Sequence, residues 1–233
     1  MYVLNRGGRY DDYGKAYAGD KVGYHAFGGM FHLFVEEVAK QKNSMSGKFF
    51  SGIPIIGGEY DIEGKPLSHP EGYSFRIITY KDPFSGQSRT ISNYWGNISL
   101  QVENKILINR SDAQALGLRR DQKVRLVSPD NPRGKLQLED GENRVLDIAG
   151  KVRIVQGMRP ATLAVSWHYG HWAYGSNDVI VDGKRIKGDK RRAAGICTNH
   201  LLAVDPVFKD VCLSDPIGGS ASFSNFKVKV IPL

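Results

Sequence analysis

The chain has 233 residues with a formal net charge of +8, and 41% of its residues are hydrophobic against 24% charged. A chain of that length can bury a substantial core. Because apolar residues are spread along the whole chain, a disordered protein is excluded. No apolar run approaches the roughly 20 residues of a membrane-spanning helix. The positive charge favours an anionic partner such as nucleic acid, a phosphorylated cofactor or an acidic substrate.

The first 72 residues predict an irregular segment with one helix. The stretch GMFHLFVEEVAKQKN (29–43) places apolar side chains at helical spacing, with charged side chains opposite them. Three prolines and a glycine pair between residues 47 and 70 indicate an irregular connection. We therefore predict that residues 1–72 pack on the domain that follows, or on other domains of a larger protein.

From residue 73 onward the sequence predicts many short strands. Apolar and polar residues alternate in segments rich in β-branched side chains, which is typical of half-buried strands. The segments are YSFRIITYK (73–81), KILIN (105–109), KVRLVS (123–128), KLQLE (135–139), RVLDIAGKVRIV (144–155), TLAVSW (162–167) and FKVKVIPL (226–233). Because few helices intervene and no regular βαβ alternation appears, residues 73–233 predict a β-barrel and not a parallel sheet.

One short helix is predicted between the first strands of this region, over SDAQALG (111–117). Ser111 is the expected N-cap, and Gln114 three residues later completes a capping box. Gly117 supplies the left-handed residue that ends the helix.

Two histidines, two tryptophans, two tyrosines and two glycines lie within the eleven residues SWHYGHWAYGS (166–176). One interpretation is an aromatic cluster that packs beneath a loop. The other is a slot for a flat heterocycle, on which aromatic rings stack and to which ring N–H groups donate hydrogen bonds. A zinc site is disfavoured, because the glycine between the histidines opposes a helix and the stretch contains no Asp, Glu or Cys.

Three further stretches carry the hydrogen-bond donors that a phosphorylated ring ligand requires. They are SGQSRTISNYW (85–95), CTNHLL (197–202) and DPIGGSASFSNFK (215–227). The densest basic run, DGKRIKGDKRRAAG (182–195), is either a solvated loop or a face that binds phosphate or nucleic acid.

Cys197 and Cys212 are the two cysteines of the chain, too few for a disulfide framework or for a four-cysteine metal site. One disulfide between them and two free thiols both stay open. The residues alone therefore leave three kinds of protein: a cofactor-binding barrel, a barrel that binds single-stranded nucleic acid, and a structural barrel without a cofactor.

The order of these stretches resembles the C-terminal part of the molybdopterin oxidoreductases of the dimethyl sulfoxide reductase family. The resemblance is carried by ENKILINRSDAQALGLRRDQKVRLVSPDNPRGKLQ (103–137), AGKVRIVQGMRPATLAVSWHYGH (149–171), TNHLL (198–202) and the late DP..GG pattern before the final strand. Within the family, LNRGGRY (4–10), KNSMSGKFFSG (42–52), ITYK (78–81) and SRT..NYW (88–95) are most similar to tetrathionate and respiratory arsenate reductase catalytic subunits, with tetrathionate reductase favoured.

The resemblance implies a mainly β fold: a double-psi β-barrel over residues 73–233 with a few short helices, preceded by the irregular segment 1–72. It also implies a cofactor, a molybdenum or tungsten ion held by two molybdopterin guanine dinucleotides, of which this domain binds a part. The whole enzyme would reduce a sulfur or arsenic oxyanion, an anionic small-molecule substrate that the positive charge attracts.

Residue by residue, the resemblance assigns cofactor contacts to five segments. Thr79 and Lys81 would lie at the end of the first barrel strand, and His168, Tyr169, Gly170 and His171 would form the loop beside the cofactor. The donors that would reach a pterin or its diphosphate are Ser88, Arg89, Thr90 and Asn93. Asn199 and Lys227 would close over the cofactor. No catalytic residue and no metal ligand is assigned to this chain.

The chain also departs from the family pattern, because it lacks the N-terminal cysteine cluster for an iron–sulfur centre and the earlier domain that supplies the metal ligand. We therefore expect the iron–sulfur cluster only in regions outside this chain, and no turnover by the chain alone. The expected partners are the remainder of the catalytic subunit, a membrane anchor subunit, and an iron–sulfur subunit for electron transfer, with no nucleic acid. By resemblance, the parent enzyme is extracytoplasmic, on the periplasmic side and membrane-associated.

Overall fold

The structure is a computed structural model, and it describes residues 17–18, 21–22, 33–53, 59–83, 94–138, 144–172, 175–215, 217, 219–224 and 226–233. These divide into two compact units, the first made of the described residues of Met1–Lys42 and Lys48–Ile56, the second of those of Asn43–Gly47 and Gly57–Leu233. Residues 59–72 thus cluster with the residues that follow them, and a domain boundary at residue 72 stays a prediction. No helix in the described ranges is long and apolar enough to cross a membrane.

The first unit contains a two-stranded ladder and one short helix. Strand β1 (Tyr17–Ala18) pairs antiparallel with β2 (Lys21–Val22), and helix α1 covers Glu36–Ala39. Helix α1 is shorter than the pattern over residues 29–43 predicts, because Val35 is already extended at the N-cap, with φ −111°. Gly52 lies so close to the helix that a Cβ there would be 2.8 Å from the Cβ of Ala39.

The second unit is mainly β. Its strands are β3 (Phe75–Tyr80), β4 (Ile106–Asn109), β5 (Lys123–Val127), β6 (Lys135–Gln137), β7 (Val145–Asp147), β8 (Ala149–Val155), β9 (Thr162–Ser166), β10 (Val179–Val181), β11 (Lys184–Ile186) and β12 (Phe226–Pro232). Its α-helices are α2 (Tyr94–Leu100) and α3 (Arg110–Ala115), and two single 3₁₀ turns cover Lys190–Ala193 and Thr198–Leu201.

Six of these strands close into a barrel in the order β12-β3-β9-β4-β8-β5. The pairs β3·β9 and β4·β8 are parallel, and the other four pairs are antiparallel. The closed barrel with few short helices confirms the predicted fold class. Its core consists of inward-facing aliphatic side chains that solvent does not reach, among them Ile77, Ile106, Ile108, Val124, Val152, Leu163 and Val228.

Two hairpins lie outside the barrel ladder: β6 pairs with β7, and β10 pairs with β11. The segment predicted as one strand over 144–155 is therefore two, β7 and β8, separated by the buried Ile148. Cys197 and Cys212 are both free thiols of intermediate exposure. Of the two alternatives left open by the sequence, a disulfide and two free thiols, the structure has the free thiols.

Helix α3 begins two residues earlier than the capping-box pattern predicts, at Arg110 and not at Asp112. The N-cap is Asn109, not Ser111: its Oδ1 accepts hydrogen bonds from the Ser111 N–H at 2.7 Å and the Ser111 hydroxyl at 2.6 Å. The prediction that Ser111 caps the helix was therefore wrong, because the side chain of Asn109, the last residue of β4, accepts the hydrogen bond from the first turn. Gly117 does end the helical turn in the left-handed region, with φ +64°.

We expect Asn109→Ala to lower the free energy of unfolding by about 1–2 kcal/mol, since it removes the cap and a hydrogen bond from Nδ2 to the Met158 carbonyl. Ser111→Ala should cost under about 0.5 kcal/mol, as expected for an exposed position that is not the cap. Urea unfolding of the two variants measures both; a larger loss for Ser111→Ala would restore the capping box.

Candidate functional site

A cleft of about 260 Å³ opens where the parallel strands β3 and β9 end. Carboxyl ends of parallel strands reach the same edge of a sheet, so the residues that follow them converge there. The cleft is lined by Thr79, Ser166, Trp167, His168, Tyr169, His171, Ile196, Cys197, Thr198, Asn199, Leu202, Ala221 and Phe223. Its volume lies just below the roughly 300–1,000 Å³ of typical small-molecule sites.

Five of the residues assigned from the sequence line this one cleft: Thr79, His168, Tyr169, His171 and Asn199. Lys81 lies beside it, because its ammonium group stands 5.9 Å from the ring centroid of Trp167. Three segments that are distant along the chain are thus brought to one place by the barrel.

Two other assigned residues lie elsewhere. Gly170 lines an adjoining cavity of about 250 Å³, which shares Ile196 and Cys197 with the cleft. Lys227 lines a separate depression of about 220 Å³ together with Arg76 and Arg159. Because Lys227 pairs with Arg76 near the start of β3, its position does not support a role in closing over the cleft.

Four assigned donors, namely Ser88, Arg89, Thr90 and Asn93, lie outside the described residues. Their placement beside the cofactor stays a prediction.

The residues of the aromatic stretch differ in how far they pack into the fold, and its role as a ligand slot stays a prediction. Tyr169 is 1% exposed, and its hydroxyl donates to the Gln101 carbonyl at 3.3 Å. Burial, with a contribution from Asp82, raises the pKa of Tyr169 to about 12, so this residue is packing that stays protonated. Trp167 instead faces the cleft, with its ring edge-on to Phe223 at a centroid distance of 4.6 Å.

The backbone of the aromatic stretch is also unusual. His168 is buried and has φ +79°, in the left-handed region that residues other than glycine rarely adopt. Such strain costs of order 1–3 kcal/mol and persists only where the surroundings hold it. Here the Trp167 N–H donates to the Tyr80 carbonyl at 3.0 Å, and the Gly170 N–H donates to the Ala194 carbonyl at 3.0 Å.

The polar groups of the cleft are neutral donors. Trp167 Nε1 is buried and has no hydrogen-bond partner among the described residues. Burial lowers the pKa of His171, and the neighbouring His168 lowers it further, so the imidazole is neutral at pH 7 with one N–H donor. The Thr79 hydroxyl is already shared with Ser224 Oγ at 2.8 Å and ties β3 to the opposite rim.

Positive charge is sparse at this site. The described lining contains no lysine or arginine, and Lys81 is the cation placed at its edge. Within the described ranges, no group of three or more His, Cys, Asp or Glu side chains is placed to hold a metal ion. The cleft therefore suits an uncharged ring with hydrogen-bond acceptors better than it suits a diphosphate.

Residue-by-residue assignment missed several lining residues, chiefly Trp167, Cys197, Thr198 and Phe223. Each lies inside one of the stretches selected for its aromatic rings or donors. The composition of a stretch therefore predicted that it contributes to the site, but not which of its residues line the cleft. Ile196 carries no chemical signal, and only the fold places it at the cleft.

No family model matches the chain. The chain is 41% identical over 230 residues to the A subunit of selenate reductase from Mesobacillus selenatarsenatis, covering 99% of this chain and 22% of that protein. It is 22% identical to the A subunit of tetrathionate reductase from Salmonella typhimurium, covering 88% of this chain and 19% of that protein. The corresponding tetrathionate reductase protein of Archaeoglobus fulgidus is 26% identical over 74% of this chain and 15% of that protein.

Among solved structures, acetylene hydratase from Pelobacter acetylenicus aligns with a TM-score of 0.49 at 13% identity, over 79% of this chain and 22% of that one. The chain spans about a fifth of the length of the curated relatives it matches.

The chain is thus a closed barrel with a cleft of about 260 Å³ at the ends of a parallel strand pair. The sequence comparisons agree with the resemblance, because the homologous proteins are molybdopterin oxidoreductases of the dimethyl sulfoxide reductase family. These homologues are the A subunits of selenate reductase and tetrathionate reductase.

Gly170→Ala is expected to destabilise the fold by more than about 3 kcal/mol, because its Cβ would lie 2.4 Å from the Cys197 backbone nitrogen. Gly183→Ala is the matched control, since Gly183 has the same φ of +72° but nothing within 4 Å of the added Cβ. The control should cost only the backbone strain, about 1–2 kcal/mol. Chemical unfolding compares the two, and equal losses would show that strain alone matters at Gly170.

His171 at the cleft and His200 at the adjoining cavity predict that stability falls on mild acidification. Burial lowers the pKa of His171 and of His200 below the ordinary value of 6.5. Below pH 6.5 the unfolded chain then binds more protons than the folded chain, so the free energy of unfolding decreases as the pH falls toward the folded pKa values. The double variant His171→Gln/His200→Gln should show a flatter dependence between pH 7.5 and 5.5; an unchanged slope would assign it to other groups.

Proposed function

We propose that this chain forms the C-terminal, cofactor-binding domain of a molybdenum or tungsten oxidoreductase, and that the cleft binds one ring system of a pterin guanine dinucleotide. The observation that carries the proposal is the convergence of Thr79, His168 and Asn199, from three separate segments, on one cleft. The homology with a selenate reductase protein over 99% of the chain supports the same role.

The residues present fit such a ligand. The buried Trp167 Nε1 lacks a partner in the described part of the chain, and a pterin or guanine ring offers it an acceptor. The neutral His171 can donate or accept on the same wall, and Asn199 is exposed on the opposite turn. When bound, the metal centre of the cofactor would supply two-electron redox chemistry. This chain would orient the ring and exclude water from it, and the Tyr169 hydroxyl at the cleft would stay protonated.

The size and charge of the cleft determine which part of the cofactor it accepts. A space of about 260 Å³ takes one ring system and not two whole dinucleotides. Burying phosphates without cations is costly, so the diphosphate remains at the edge near Lys81. The second dinucleotide, the metal ligand and any iron–sulfur cluster belong to polypeptide outside this chain.

The substrate of the whole enzyme is an oxyanion of selenium or sulfur, with selenate placed first. The relative with 41% identity is a selenate reductase protein, whereas the two tetrathionate reductase proteins are 22% and 26% identical. The resemblance favoured tetrathionate, and the homologues include tetrathionate reductase proteins as well. We also propose that the whole enzyme is extracytoplasmic, and that it contains a membrane anchor subunit and an iron–sulfur subunit that transfers electrons.

Nucleic-acid binding is not favoured, because part of the basic run is neutralised locally. Arg185 forms an ion pair with Asp178 at 2.6 Å, and Arg191 forms one with Asp189 at 2.9 Å. These contacts are typical of a solvated surface loop.

The test is the cofactor content of the native protein that contains this chain. We expect molybdenum or tungsten by elemental analysis and guanine nucleotide by chromatography of an acid extract. Trp167→Phe, which removes one N–H and keeps an aromatic ring, should lower retained nucleotide about fivefold to tenfold. Trp95→Phe makes the same change at a residue that is 78% exposed and should retain the wild-type content. A native protein without metal and guanine nucleotide would refute the proposed function.

A further inference from the structure

We infer that Asn104, which does not line the cleft, is the positioning residue that holds the two cleft walls at their separation. This inference rests on the proposed function only in its consequence for the cofactor, because the geometry itself is independent of any ligand. One wall is the aromatic stretch that starts at Ser166, and the other is the turn that starts at Ile196.

Asn104 lies just before β4 and is 1% exposed. Its Nδ2 donates to the Ser166 carbonyl at 2.6 Å and to the Ile196 carbonyl at 2.9 Å. Its Oδ1 accepts from the Ile196 N–H at 2.8 Å. Both amide hydrogens and the carbonyl oxygen are therefore engaged with backbone groups.

These hydrogen bonds join segments that no strand ladder connects. Ser166 is the last residue of β9, and Trp167 and His168 follow it directly. Ile196 precedes Cys197 and the 3₁₀ turn Thr198–Leu201, which carries Asn199. The side-chain amide of Asn104 thus substitutes for a strand between the two walls.

Two glycines permit the close approach that these bonds require. Gly195 has φ +90°, and a Cβ there would lie 2.5 Å from Asn104 Oδ1 and 2.8 Å from the Tyr169 Cβ. A Cβ at Gly170 would lie 2.4 Å from the Cys197 nitrogen. We call Asn104, Gly170 and Gly195 the clasp. None of the three lines the cleft, yet any side chain added at the glycines would push the walls apart.

Asn104→Asp is the sharpest substitution, because it preserves shape and removes both donated hydrogen bonds. The carboxylate would stand against the Ser166 and Ile196 carbonyl oxygens, and a buried charge facing acceptors is strongly unfavourable. The walls should open locally, while the barrel core, which does not use Asn104, remains.

The chain contains a matched control in Asn109, at the other end of β4. It is also buried, donates from Nδ2 to a backbone carbonyl and accepts a backbone N–H at 2.7 Å. Asn109→Asp removes the hydrogen bond to the Met158 carbonyl but keeps the acceptor that caps helix α3, at a site away from the cleft. It should therefore cost less stability than Asn104→Asp, and opening of the cleft should follow only from Asn104→Asp.

The readout is alkylation of Cys197 by iodoacetamide in the native protein, followed by mass spectrometry of the cysteine-containing peptides. Burial raises the pKa of the Cys197 thiol, which slows its reaction as long as the walls stay closed. Asn104→Asp should accelerate alkylation of Cys197 at least about tenfold and leave Cys212 unchanged. Asn109→Asp should leave the ratio of the two rates at the wild-type value.

An unchanged Cys197 rate, or an equal rise at both cysteines, would overturn the inference. Where Asn104→Asp does not accumulate, hydrogen exchange of the wild-type protein decides instead: the Ile196 amide must be protected to a degree similar to the β9 amides, and exchange at the rate of an exposed turn overturns the clasp.

Measuring the guanine nucleotide that the protein retains distinguishes a failure of this inference from a failure of the proposed function. Selective opening at Cys197 in a protein that never holds nucleotide would keep the clasp and reject the cofactor. Wild-type nucleotide content in Asn104→Asp together with unaltered thiol reactivity would keep the cofactor and reject the clasp.

Discussion

The parallel pairing of β3 with β9 is the constraint on which the site depends. Thr79 pairs with Val165 and Tyr80 with Ser166, so both strands end at the same edge of the barrel. The residues that follow, Lys81 on one side and the aromatic stretch on the other, therefore meet there. Closure of the barrel fixes this edge in turn, since a closed ladder leaves no free strand that can slide in register.

The ligand chemistry that the cleft favours follows from the absence of basic side chains among its described lining residues. Its described lining offers indole, imidazole and hydroxyl groups but no lysine or arginine, and an unpaired phosphate would be costly there. The basic residues Arg76, Arg159 and Lys227 surround a depression near the amino ends of the same strands. The cleft thus offers uncharged hydrogen-bond donors, and the three basic residues lie at the opposite ends of the strands.

Strand positions were largely predictable, because the barrel strands are rich in β-branched residues and several of them, such as β8 and β12, alternate between the core and the surface. The segments KILIN and TLAVSW became β4 and β9 within one or two residues. Errors arose where neighbours in space decide the outcome. Asn109, and not Ser111, is the N-cap of α3, because the last residue of β4 lies directly before the helix. Helix α1 is shorter than predicted, because Val35 is extended.

The sequence by itself determined the class of the fold and the stretches that matter, since alternation and residue chemistry are local properties. The tertiary structure alone decided which members of those stretches share a site. Lys227 looked like a cofactor residue until its register with Arg76 placed it away from the carboxyl ends of the strands. Asn104 looked like an ordinary polar residue, and only the approach of Ser166 and Ile196 from distant parts of the chain made its amide a link between them. Register and long-range approach arise from closing the barrel, which no local pattern encodes.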